Sequence, residues 1–131
     1  MAFELEVSRW VEKVQGNMDE AFRRLAFQLA RKIVERTPVK TGAARGGWQA
    51  GVNAIPSGDT AADPGGEATL ARIAAVIATA KVGDVIYISN GQPHILRLEH
   101  GWSEQSPAGM VKVTLVEAQS IANRVAAGLR G

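Results

Sequence analysis

Apolar residues recur every three or four positions along the first quarter of the chain: Val7, Trp10, Val11, Val14, Met18, Phe22, Leu25, Leu29 and Ile33. That spacing puts them on one face of a 3.6-residue helix, and such a stripe has to be buried against other elements. Gly16 interrupts the run, and Asn17 followed by Glu20 has the spacing of a capping box. The segment 4–36 is therefore read as helical, either as two helices over 4–15 and 18–36 or as one helix kinked at Gly16. Thr37-Pro38 ends it, because the residue before a proline is pushed out of the helical region.

The rest of the chain supplies what the stripe packs against. After a turn at 38–43, residues 44–53 alternate in part, with Ala44, Gly46, Trp48, Ala50 and Val52 on one face. That is a period-2 strand with an aromatic anchor, weakened by its glycines. Residues 54–66, AIPSGDTAADPGG, are a loop by composition, long enough to be functional or mobile. A helix is expected over 67–80, a β-branched strand over 84–89, a short helix within 93–101 and a final helix over 108–128. The fold class is α+β. The long N-terminal helix and the C-terminal helix pack on a small antiparallel sheet, within one domain spanning 1–131. Two strands are too few for an independent sheet. A third is expected in 54–66, in 109–116, or from a neighbouring subunit.

Composition removes several classes of function. With 46% hydrophobic and 21% charged residues the chain is an ordinary globular sequence, neither disordered nor collagen-like. No apolar run approaches the roughly 18–20 residues that span a bilayer, and the N-terminus has no apolar signal region. There are no cysteines, so disulfides, thiolate catalysis and zinc–thiolate sites are excluded. The only histidines, His94 and His100, lack the spacing that sets two ligands on one helix face, and Glu99 alone does not complete a metal set. Ser57 and Ser103 lack a nucleophile-elbow context. The candidate paired carboxylates are Asp59, Asp63, Asp84, Glu99 and Glu104, and the first two lie in the flexible-looking loop, a poor setting for acid–base work. Gly46-Gly47 and Gly65-Gly66 do not form a phosphate loop. No cofactor is implied, and the chain is not read as an enzyme.

Charge is nearly balanced, 15 Lys+Arg against 13 Asp+Glu, but unevenly placed. Arg23, Arg24, Arg31, Lys32, Arg36, Lys40 and Arg45 crowd one stretch, in which only Glu35 opposes them. Arg24, Arg31 and Lys32 lie near one another on the helix and off its apolar stripe. They are either a solvated face or a diffuse basic surface lining a channel through which DNA passes. Of the three tryptophans, Trp10 and Trp48 fit core packing. Trp102, in a polar loop, is the candidate for an interface.

Two stretches carry a resemblance. Thr37-Pro38-Val39-Lys40-Thr41-Gly42-Ala43-Ala44-Arg45-Gly46-Gly47-Trp48 resembles the TPV-x-TG-x-AR-x-x-W signature of a bacteriophage family of neck, tail-completion or head-to-tail joining proteins. Tyr87-Ile88-Ser89-Asn90, Pro93-His94-Ile95, Leu98-Glu99, Gly101-Trp102-Ser103, Gln105 and Pro107 to Val111 are similar to a second block of that family, in the same order. Lys40 departs from the pattern, standing where an acidic residue is expected more often.

The resemblance implies a structural virion component that performs no chemistry. It would be made in the host bacterial cytoplasm and would sit in the neck, between the head connector and the tail tube. Its implied partners are further copies of itself, as a ring homo-oligomer, together with tail-tube or terminator and head-connector proteins, with non-specific contact to passing DNA and no membrane. A ring needs two different, complementary surfaces on each subunit. The expected interface residues are Lys40, Thr41, Gly42, Arg45, Arg97, Glu99, Trp102 and Glu104. Thr41-Gly42 would hold a turn that aims Arg45 outward, Arg45 and Arg97 would pair with a neighbour's carboxylates, and Glu99 with Glu104 would form an acidic face. The 54–66 loop is expected to act as an arm that orders on assembly. The alternatives are a tail terminator or another neck-ring or minor tail protein, and a DNA-contacting accessory protein.

Overall fold

The computed structural model describes residues 2–5, 18–101, 103, 105 and 109–130. In chain order these form β1 (Ala2–Leu5), α1 (Met18–Arg36), α2 (Ala43–Gly46), β2 (Trp48–Val52), α3 (Glu67–Ile77), β3 (Ile86–Asn90), α4 (Ile95–Glu99), α5 (Val111–Val116) and α6 (Ala118–Arg130). The architecture is α+β, with the long helix and the C-terminal helices sharing one core with a small antiparallel sheet.

From Phe22 onward the stripe on α1 buries as its spacing requires, while Met18, which opens the helix, is exposed. Phe22, Leu25, Leu29 and Ile33 are in the core, joined by Ala21, Ala26, Ala30 and Val34, where small side chains let neighbouring elements approach. Asp19 and Glu20 occupy the first turn and Arg36 the last, each at the end of the helix dipole that favours its charge. Around α1 pack α3, α5 and α6.

The sheet has the order β1-β3-β2, antiparallel throughout, with β3 in the centre. Trp48 pairs with Asn90, Ala50 with Ile88 and Val52 with Ile86. Trp48, Ala50, Ile86 and Ile88 turn into the core that α1 and α3 complete. The third strand is the N-terminal segment, which pairs Ala2 with Ser89 and Leu5 with Ile86. This corrects two expectations. The strand comes from neither 54–66 nor 109–116, and Glu4 and Leu5 are extended rather than helical. The remainder of the expected first helix, with Gly16 and Asn17, lies outside the described residues.

Three further boundaries differ. The stretch 44–47 is a helical turn, not the start of the Trp48 strand. Gly42, at φ 91°, reverses the chain into that turn, and Ala44 and Gly46 carry too little side chain for alternation to tell strand from helix. The final helix is broken at Glu117 into α5 and α6. Thr114 Oγ1 donates to Met110 O (2.8 Å), a back-bond of the kind that bends helices. The helix after the loop ends at Ile77 rather than at 80.

The 54–66 segment is strapped to the body rather than extended as an arm. Asp63 N donates to Gly42 O (3.0 Å) and Gln92 Nε2 to Thr60 Oγ1 (3.3 Å). A Cβ on Gly46 would stand 2.1 Å from Ala61 O, so only glycine lets the loop lie this close. Asp63 then serves the next helix, accepting from Thr69 N and Thr69 Oγ1, both at 2.8 Å. These bonds, the Thr69 backbone N–H first, hold the Asp63 carboxyl below its ordinary range.

Candidate functional site

The stretch 37–48 has two faces. Thr37 and Trp48 are fully buried. Trp48 Nε1 donates to Thr37 Oγ1 (2.8 Å), which donates to Ile33 O (2.7 Å), so the indole's polar atom is satisfied inside the core. Arg45, expected to face a neighbour, is turned back on its own chain. Its guanidinium donates to Pro64 O (2.8 Å), Glu35 O (3.0 Å) and Thr37 O (3.0 Å), clipping the α1 terminus, the turn and the loop together. Gly42 is also internal, because a Cβ there would lie 2.5 Å from Pro64 N. Lys40 and Thr41, in contrast, are exposed.

The second block meets this turn side by side. Gln105 behaves as a one-residue strand: its Oε1 accepts from Val39 N (2.9 Å) and its Nε2 donates to Val39 O (3.0 Å). Between the two stretches lies an open groove of about 750 Å³, lined by residues 38–44 together with Gln92, His94, Leu98, Ser103 and Gln105. Asn90 fixes its floor, with Nδ2 donating to Ala44 O (2.8 Å) and Oδ1 accepting from Gln92 N (2.9 Å). The side of Gly47 must stay bare, since a Cβ would stand 2.6 Å from Asn90 Oδ1.

Glu99 is not part of an acidic outer face. Its Oε1 accepts from Met110 N (2.8 Å) and Val111 N (2.9 Å), and its Oε2 from Lys112 N (2.9 Å). It therefore caps the start of α5, where free N–H groups need acceptors, and ties α4 to the C-terminal helices. Its signal in the sequence was masked by distance, since the cap lies more than ten residues before the helix it serves. Arg97 is exposed and engaged. Trp102 and Glu104 lie outside the described residues.

The basic stretch is largely answered within the chain. Arg24 Nη2 meets Glu20 Oε1 (2.5 Å), Arg31 Nε meets Glu35 Oε1 (3.4 Å) and Lys32 Nζ lies 3.8 Å from Glu117 Oε2. Arg36 donates to Thr114 Oγ1 (2.9 Å) and to both oxygens of Glu117 (2.8 and 2.9 Å). The Arg36 bond, supported by the charges of Lys32 and Arg124, holds the Glu117 carboxyl below its ordinary range. Arg23 Nε donates to Ala80 O (2.6 Å). A count confined to residues 23–45 could not see Glu20 and Glu117, which fall outside that window. Glu117 and Thr114 are the residues the sequence reading missed, and no local pattern marks their tie to Arg36. Asn90 and Gln105 stand in the second resembling block, but nothing in the sequence told what they hold.

Among the described residues no group of three His, Asp or Glu side chains converges as a metal site would require, and no helix is long and apolar enough to cross a membrane. What the arrangement offers is an open groove and a set of fixed surface loops. Comparison of the chain with protein-family models, with curated proteins and with solved structures gives no match.

Proposed function

We propose that this chain is a structural virion protein that joins a phage tail to its head, a tail-completion or neck-ring component acting by protein–protein assembly and making no covalent change. It works at the neck of the particle, after synthesis in the bacterial cytoplasm. One observation carries the reading. The two stretches that resemble the head-to-tail joining family clamp together at Val39 and Gln105, 66 positions apart, and line a single groove with Lys40 and Thr41 on its rim. A tail terminator or another neck-ring or minor tail protein is the neighbouring form of the same reading.

The DNA-contacting alternative draws less support. Arg24, Arg31, Lys32 and Arg36 share their surface with Glu20, Glu35 and Glu117. With its cations opposed by carboxylates in this way, such a patch releases few counterions on meeting a duplex.

The test is the mass of the purified protein alone and after mixing with tail tubes or head connectors. A stable complex with either is the expected result. Binding to neither overturns the joining role, and a steep salt dependence of duplex binding would transfer the function to DNA.

A further inference from the structure

The described wall of the groove carries a sign. Among the described residues the ionisable side chains that line it are Lys40 and His94, no described carboxylate does, and Pro38, Val39 and Leu98 give it apolar walls. One segment of the surface has the opposite character. Ile55 is 58% exposed, and four residues on, Asp59 is exposed as well. Among the described residues no hydrogen bond or ion pair engages the Asp59 carboxylate. Glu67 shares that condition, but it stands in the first turn of α3, where the helix dipole already favours it. Among the described residues the other exposed large apolar side chains have no unengaged carboxylate beside them in the chain. Met18 adjoins Asp19, which accepts from Val82 N, and Leu115 and Val116 adjoin Glu117, which is held by Arg36. Leu96 is three residues from Glu99, which caps α5.

The 55–59 segment is also held in place. Gln49 Nε2 donates to Gly58 O (3.1 Å), and Gly51 leaves no room for a side chain against Ala54 O and Pro56. A segment fixed in advance loses little conformational freedom on docking.

We infer that the 55–59 tip of one copy seats in the groove of a second copy, with Ile55 against the apolar walls and Asp59 paired with Lys40. The inference rests on the reading of the protein as a self-assembling ring component, and it names the two surfaces that reading requires. Tip and groove are different sets of residues that adjoin where Gln92 Nε2 donates to Thr60 Oγ1 (3.3 Å), so each copy has one of each to give and receive with. The contact is small by the standard of specific interfaces, so association of the isolated protein is weak and falls with salt.

The experiment is sedimentation equilibrium of the full chain over a concentration series at low and high salt, with Lys40→Glu, Asp59→Lys, both together, and Ile55→Ser. Circular dichroism checks that each variant folds. Each single charge reversal weakens self-association at least tenfold, and Ile55→Ser weakens it without altering the salt dependence. An equimolar mixture of the two single reversals, and the double reversal alone, regain association. Wild-type protein that stays monomeric throughout, association indifferent to the reversals, or a mixture that fails to recover overturns the inference. Tail-tube binding is measured on the same samples. Lys40→Glu that loses tubes but keeps self-association assigns the groove to a tail protein and also overturns it. Wild type that binds neither tubes nor connectors overturns the joining function instead, so the two failures are distinct.

Discussion

The two faces of residues 37–48 do different work with adjacent side chains. Thr37, Gly42, Arg45, Gly46 and Trp48 face inward and bond or pack within the chain. Lys40 and Thr41, between them, face solvent at the groove's rim. Most of the stretch that carries the family resemblance therefore builds the turn, and only its middle is available to a partner. A recognisable string of residues mixes the scaffold of a site with its working surface, and only the fold separates them.

Substitutions along the stretch should divide accordingly. The largest effect is expected from Trp48→Ala, which empties the centre of the core and costs about 3–5 kcal/mol, read as a lowered midpoint in urea unfolding. Arg45→Met removes three charge-assisted bonds to carbonyls. It should cost about 1.5–3 kcal/mol and raise the rate of proteolysis in 54–66, where a neighbour-facing arginine would leave stability unchanged. Thr37→Val leaves the Trp48 N–H without its acceptor and should cost about 1–3 kcal/mol by the same measurement.

A pH titration sharpens the contrast from outside the stretch. Glu117 titrates in the folded protein below its ordinary value of 4.5. The stability its clasp with Arg36 contributes is therefore present above that pH and is lost as pH falls through the folded-state value. Between pH 5 and 3 the unfolding midpoint should fall more steeply in the wild type than in Glu117→Gln. Equal slopes would show that the clasp is silent. The smallest effect on stability belongs to Lys40→Ala, within about 0.5 kcal/mol. A larger loss would place Lys40 with the inward set and end the division drawn here.

The long helix was readable because its apolar stripe is sustained over several turns, and periodicity over that length has few competing explanations. The strand at Trp48 was readable from alternation, though drawn from 44 rather than 48, and the strand at Ile86 from its β-branched run. What local pattern could not supply was pairing. The partner of Arg36 is 81 residues away, the cap of α5 is Glu99, and the third strand is a four-residue segment whose place depends wholly on β3. Arg45 shows the same limit at the site. An arginine after Thr-Gly reads as outward, and its inward course is decided by three carbonyls that no local pattern names. The groove was legible as two separate motifs and became one surface only through Val39 and Gln105.

The clasp between Arg36 and Glu117 has a consequence for synthesis. The long helix leaves the ribosome early, yet the helices that cover part of its apolar face, and the carboxylate that holds its last turn, are translated some eighty residues later. Until then the nascent chain carries an unprotected greasy flank, and distant closures of this kind are slow to form. Copies emerging from neighbouring ribosomes would meet with that flank bare, and apolar surface left exposed in this way invites aggregation before the later helices arrive.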